Sequence, residues 1–460
     1  VSTPPTAVRD VTSADGRPQS RDAPTAPERG HTGRNRAPVW LSWSVWAVAA
    51  SFYLGAFYLR AAPAVMTSEL MRDFSITAAQ LGNFSAVYFY AYLVMQIPTG
   101  VLVDWWGARR LLILGSLVAA AGTFLFGATS SFALASLGRL MIGAGTAVGW
   151  VITLKIATHW FPSHRFAMMS GLGLLFGNIG ALVAQVPLRV AVEHFGWRGA
   201  ALASAAVVLA IGVLAALIVR NDPAHRGYAS YAPEALQRND HASLLPLLKG
   251  FKRIFGYRNT WLIFFAQGGF VGAILSFTGL WGVPYLRSRY DLPTTTAAAV
   301  CSVMIVCWAA SSPVCGYLSD KIGRRKPIYV AGAILALAGW AALFYLPGMP
   351  LAAFIAVAAI TSIACGAVIL GFAFAKESVP IQYLGTISGA INVGNMVGPT
   401  LLQPAIGIVL DRQWRGATSG GLRVYSTEEF GVAFGLIVAW AALTCVLLSL
   451  TRETYCKPSA

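Results

Sequence analysis

The sequence predicts an all-α membrane protein of twelve transmembrane helices arranged as two six-helix pseudo-repeats. Three observations carry this. Of 460 residues, 56% are hydrophobic and only 11% are charged, whereas soluble domains carry roughly 25% charged residues. Twelve apolar runs reach the roughly 20 residues that a helix needs to cross a hydrocarbon core. A charged loop motif that follows the second run recurs after the eighth. This composition excludes an ordinary soluble enzyme and a disordered chain. The net charge of +16 sits in loops between apolar runs, which points to a membrane's cytoplasmic face and away from a nucleic-acid partner.

Residues 1–38 hold six prolines, six arginines and four acids with no apolar periodicity, a composition expected of a disordered cytoplasmic tail. They do not read as a signal peptide. The first span, 40–66, runs from Trp40 past Arg60 to Pro63. The second, 80–103, places Ser85, Tyr88, Tyr92 and Gln96 on one helical face. Spans three and four, 109–128 and 132–159, enclose Arg139 and Lys155. Span five, 164–188, is rich in glycine, which suits close helix packing. Span six, 197–220, completes an N-terminal bundle at 39–220. The polar segment 221–259, with seven Lys or Arg counting Arg220, is the linker to a C-terminal bundle at 260–450. That bundle contains 260–286, 293–318, 327–346, 349–376, 380–410 and 429–450, followed by a short tail, 451–460. With both termini inside, the inner loops and tails hold 23 Lys or Arg and the outer loops hold 8, which sets the orientation. Five of the six cysteines fall inside apolar runs and the sixth is in the tail. None has metal-ligand spacing, and no cofactor or metal is expected.

Gly100-Val-Leu-Val-Asp104-Trp-Trp-Gly107-Ala-Arg109-Arg110 follows span two, and Gly316-Tyr-Leu-Ser-Asp320-Lys-Ile-Gly323-Arg324-Arg325-Lys326 follows span eight. Ser170, Gly171, Gly180 and Gln185 in span five recur at one constant offset as Ser388, Gly389, Gly398 and Gln403 in span eleven. Two related halves suit a carrier whose site lies between them. The loop motif resembles that of the major facilitator superfamily over residues 40–450. Its second copy matches fully, and its first departs at Trp105 and Ala108. Arg139-Leu-Met-Ile-Gly143-Ala-Gly145 resembles a further motif of the family. Trp160-Phe-Pro-Ser-His-Arg165 and Gly196-Trp-Arg198 resemble its bacterial organic-anion and anion:cation symporter branches. The resemblance implies alternating access, a monomer, and gating or coupling roles for Asp104, Arg109, Arg139, Asp320 and Arg324. It also implies a bacterial cytoplasmic membrane.

Ionisable residues inside spans are costly and mark functional candidates. Arg60, Arg139 and Lys155 are all cations. No Asp, Glu or His lies near the middle of a span, so no internal partner is evident. On a continuous helix Arg139 and Lys155 lie about 160° apart. Lys155 is therefore expected to reach toward the inner face while Arg139 has a structural or coupling part. Arg60 is expected to meet an anionic cargo. Tyr88, Tyr92, Gln96, Trp150, Gln267, Trp281, Asn392 and Asn395 are polar or aromatic residues expected to hold the cargo's uncharged remainder. The expectation is a carrier, not an enzyme, importing a small organic anion or zwitterion, with lipids as its other partner. The alternatives are a proton-coupled exporter, a neutral-solute carrier, and a sensor that has lost transport.

Overall fold

In a computed structural model, residues 35–232, 252–380, 383–419 and 422–457 are described. The expected tail lies outside them up to residue 34, as do linker residues 233–251. The chain is helical almost throughout: α1 Val39–Ala61, α2 Thr67–Phe74, α3 Ala78–Trp106, α4 Ala108–Ala128, α5 Phe132–Thr146, α6 Gly149–Trp160, α7 Phe166–Val183 and α8 Val186–Ile218. After the linker come α9 Arg258–Ser276, α10 Gly282–Tyr290, α11 Thr294–Ile322, α12 Lys326–Tyr345, α13 Leu351–Cys365, α14 Leu370–Glu377, α15 Leu384–Gln413 and α16 Thr427–Ser449. Among the described residues, eleven helical stretches are long and apolar enough to cross a membrane, and α3, bent by 60° at Pro98, makes a twelfth.

The interruptions have local causes. Pro98 removes one helical hydrogen bond and crowds the preceding turn, which bends α3. Span four is not one continuous helix: α5 stops at Thr146 and α6 restarts at Gly149. Span five ends at Val183, short of the expected 188. The segment from Val186 is helical and joins span six across a bend at Gly196, whose φ of 70° and ψ of 159° are not helical. Between α9 and α10, Phe277–Trp281 forms a π-helical turn. Both motif loops turn on a glycine at positive φ, Gly107 at 82° and Gly323 at 70°, a conformation that costs a side chain. Helix starts are capped where the sequence allows: Thr77 with Gln80 on α3, and Ser426 with Glu429 on α16, form reciprocal capping boxes.

Within the first half α1 packs on α7, and α4 packs on α5 and α8. Within the second half α9 packs on α15, and α12 packs on α13 and α16. The repeat is visible in how closely these helices meet. A Cβ added at Gly180 would strike the Leu54 carbonyl of α1, and one at its counterpart Gly398 would strike the Gly268 carbonyl of α9. The halves meet chiefly through α3 and α15. At the end of the molecule away from the termini the contact is tight, since Gly407 of α15 sits against the Ala78 carbonyl of α3. Toward the terminus-bearing end Gly100, Gly385 and Gly389 have, among the described residues, no atom beyond their immediate chain neighbourhood within 4 Å of where a Cβ would stand.

A candidate binding cavity between the halves

A small cavity lies where the two halves meet. Its walls come from α1 (Phe57, Arg60), α3 (Phe89), α7 (Asn178, Ala181), Gln185 at the α7–α8 break, the π-helical turn (Thr278, Gly279), α11 (Ile305, Trp308) and α15 (Gln403). None of these residues is acidic, and none is a histidine.

Arg60 sits one residue before the end of α1, 8% exposed. Its guanidinium lies 3.9 Å from the centre of the Phe57 ring. Among the described residues it makes no hydrogen bond or ion pair. A cation–π contact offsets only part of the cost of removing a guanidinium from water. The residue therefore leaves the cavity electrostatically positive.

Two glutamines that the repeat relates, Gln185 and Gln403, face the cavity from opposite halves. Both are visible in the sequence as repeat partners, and Gln403 also as a member of a polar stripe on span eleven with Asn392 and Asn395. Gln185 Nε2 donates to the Thr278 carbonyl at 3.0 Å, and Gln403 Nε2 donates to the Leu275 carbonyl at 3.2 Å. Both acceptors flank or belong to the π-helical turn, where the altered backbone frees carbonyls from the α-helical ladder. Asn178 and Trp308 complete the polar lining. Neither was picked out by helical spacing, because each stands alone in an apolar run.

The other expected site residues are not part of this lining, although Tyr88 and Tyr92 lie within electrostatic reach of Arg60. Tyr88 is 1% exposed within the first half, accepts from Thr146 Oγ1 at 3.1 Å and stacks on Tyr92. Asn392 donates to Gln96 Oε1 at 3.1 Å, a bridge between the halves on the terminus-bearing side of the cavity. Trp150 leans on Tyr53 and lies close to Gly173. Gln267 is fully buried in the second half, where it accepts the Tyr329 hydroxyl at 2.8 Å. Trp281 is 1% exposed and donates to the Gln403 carbonyl at 3.1 Å. Asn395 is buried, with Oδ1 lacking a partner among the described residues. Several residues of the polar stripes of spans two, seven and eleven thus join helices by hydrogen bonds.

The remaining cations in the spans correct the expectation that no internal partner exists. Lys155 Nζ reaches Asp104 Oδ1 at 2.6 Å and the Val103 carbonyl at 2.9 Å, tying α6 to the end of α3. Arg139 is 1% exposed. It donates to the carbonyls of Leu59 at 2.8 Å and Ser85 at 3.4 Å, which knits α5 to α1 and α3 without any acid. The two motif loops differ as their sequences do. Asp104 looks to Lys155. Asp320 pairs with Arg325 of its own loop at 2.5 Å, and Arg325 bridges onward to Glu377 at 2.8 Å. Arg109 donates to the Ala216 carbonyl at 2.6 Å, and its amide donates to Asn221 Oδ1. Arg324 lies over the Tyr455 ring.

Comparison with known proteins agrees with this architecture. A probable sulfoacetate transporter of Cupriavidus necator is 25% identical over 379 residues, covering 78% of this chain and 85% of the relative. A lysosomal dipeptide transporter of Danio rerio is 23% identical over 370 residues, covering 78% of each. A solved bacterial homologue of the human lysosomal transporter Spinster, in an inward-facing and occupied conformation, aligns with a TM-score of 0.70 at 17% identity, over 88% of this chain and 96% of that one. The profile of the Major Facilitator Superfamily matches residues 45–403 and 281–454. With that match spanning both halves and the cavity between them, the chain belongs to the Major Facilitator Superfamily, a family of membrane transporters and not of enzymes.

Proposed function

We propose that this carrier moves a small organic anion across a bacterial cytoplasmic membrane by alternating access, with Arg60 holding the anionic group. The observation that carries the reading is a guanidinium, without an ion-pair partner among the described residues, in an interface cavity whose walls hold no acid. A guanidinium at a cavity wall with no acid beside it attracts a carboxylate, sulfonate or phosphate. A relative described as a probable sulfoacetate transporter favours the same class. The excess of Lys and Arg on the terminus-bearing end supports both termini facing the cytoplasm. In that orientation the halves are in tight contact toward the outside. Uptake is the direction proposed. With no titratable acid or histidine in its walls, the cavity fits uniport, anion exchange, or symport in which the cargo helps to hold the proton.

The test is flux into proteoliposomes that contain the purified carrier. Saturable uptake of organic anions, reduced at least tenfold in Arg60→Gln, is expected. Uptake indifferent to that substitution, or restricted to neutral or cationic solutes, overturns the reading.

A further inference from the structure

Three cavity residues leave buried polar atoms without partners among the described residues: Gln185 Oε1, Gln403 Oε1 and Trp308 Nε1. The two amides cannot simply be turned round. Each Nε2 faces a backbone carbonyl, and a half-turn would set Oε1 acceptor against carbonyl acceptor. The orphaned atom of each glutamine is therefore an acceptor. A buried acceptor left unpaired is expensive, so these positions ask for hydrogen-bond donors. Arg60 and Trp308 ask for the opposite, an anion and an acceptor.

Resting on the anion reading above, we infer that the cargo carries neutral hydrogen-bond donors, hydroxyl or amide N–H, that Gln185 and Gln403 accept from opposite sides. The complementary ligand has one face that accepts, toward Arg60 and Trp308, and a body that donates, toward the two glutamines. An ammonium group would also donate, but it would bring a second positive charge next to Arg60 in a cavity with no acid to balance it. Neutral donors are therefore favoured, and a free amino acid is not. The repeat explains the symmetry of the grip. Gln185 and Gln403 stand at equivalent positions of the two halves, and both hold the same helical junction. Closure around such a cargo would use one glutamine from each moving half. The donors on the cargo would then select for substrate as well as link the halves.

The experiment compares paired ligands by thermal stabilisation of the purified wild-type carrier, where a ligand of the folded state raises the melting temperature according to its dissociation constant. Tartrate is compared with succinate for hydroxyls, N-acetylglycine with levulinate for the amide N–H, and glycerate with serine for hydroxyl against ammonium. Tighter binding of tartrate, of N-acetylglycine, or of both is expected, by about three- to tenfold per hydrogen bond, and glycerate should bind more tightly than serine. Gln403→Leu and Gln185→Leu should each shrink the preference for the donor-bearing partner. If succinate and levulinate match or exceed their partners, or serine matches glycerate, the inference falls while the anion reading stands. If no anion in the panel shifts the melting temperature, or the shifts persist in Arg60→Gln, the anion reading falls with it.

Discussion

The carboxylate of Asp411, on the last turn of α15, accepts the backbone amides of Ala78 at 3.3 Å and Ala79 at 2.8 Å, the first two residues of α3 in the opposite half. The first amides of a helix have no partner within it and carry partial positive charge. An acid from the second half thus caps a helix of the first. Tyr425 donates to the same carboxylate at 2.6 Å and Arg423 at 3.2 Å, which hold it in place. Opening this end requires the contact to break. Asp411→Asn keeps the shape and removes the charge, so it should shift the equilibrium toward the opposite state by about 0.3–2 kcal/mol, roughly 2- to 30-fold. Spin labels at the exposed Arg72 and Arg415, in a background without native cysteines, would report a larger long-distance population. An unchanged distance distribution would show that the contact does not latch this end.

Gly407 tests the same closure from the steric side. A Cβ there would overlap the Ala78 carbonyl, and main chain yields less readily than a flexible side chain. Gly407→Val should hold the halves apart at this end and slow transport at least tenfold while leaving the amount of folded carrier within about twofold. Size-exclusion profiles and flux on the same preparation separate the two. Loss of folded protein in proportion to flux would mean that the close approach is needed only for folding.

At Arg60 the proposed role depends on a planar fork as well as on charge. Lysine keeps the charge but offers no bidentate geometry and a poorer fit over the Phe57 ring. A hydrogen bond to a charged group is worth about 1.5–3 kcal/mol, so Arg60→Lys should weaken anion binding by roughly tenfold. Arg60→Gln should weaken it by about 100-fold. Equal effects of the two substitutions, measured as KM for uptake, would mean that the position serves through its shape alone.

The sequence carried the architecture because the membrane constrains it so strongly. Spans must be apolar and about 20 residues long, and a fold built from two related halves repeats its motifs. The twelve spans and the offset between the halves could therefore be read directly. The ends of span five and the break within span four could not. Apolar composition continues through Ala184 and Val148, and nothing in hydropathy marks a helix that stops and restarts. Arg60 stood out because a charge in an apolar run is conspicuous. Gln403 showed only as one member of a polar stripe and Gln185 only as its repeat partner, because an amide is ordinary in such helices. Their importance comes from α9 ending in a π-helical turn whose carbonyls they meet. Tyr88, Gln267 and Trp281 shared the periodicity expected of a cavity wall, yet each finds its partner inside one half, since periodicity identifies a face and not what lies opposite.

Lys155 and Asp104 show what a departure from a motif can signify. Trp105 stands next to Asp104, where the second copy has Lys321, and the carboxylate turns to a cation on α6, at 2.6 Å. The side chains are 25% and 52% exposed, so solvent screens the pair and its coupling should be about 0.2–1 kcal/mol. A double-mutant cycle with Asp104→Asn and Lys155→Met, read by thermal melting, should give a coupling in that range and a double variant no worse than the poorer single. Full additivity would show the contact to be incidental.

The linker is fastened to the first half through a second acid whose titration can be followed. Asp222 Oδ2 meets His159 Nδ1 at 2.7 Å and accepts Ser230 Oγ at 2.6 Å, and Oδ1 accepts the Ala224 amide at 2.7 Å. Burial alone would raise its pKa, but the hydrogen bonds from His159, Ser230 and Ala224 outweigh burial and hold the carboxyl below the usual carboxylate range. A folded-state pKa below the unfolded value of about 3.9 means that the stabilisation is fully present at higher pH and is lost as pH falls through the folded value. The Tyr231 amide donates to the His159 carbonyl at 3.1 Å, so the same residue anchors the chain twice. Asp222→Asn should therefore be less stable than wild type by about 1–2 kcal/mol at pH 7. That gap should close as pH falls below about 4. Limited proteolysis across the linker and melting curves from pH 3 to 7 would measure it. A gap that does not depend on pH would mean that the carboxylate's charge contributes nothing and that Asp222 serves only as a hydrogen-bond acceptor.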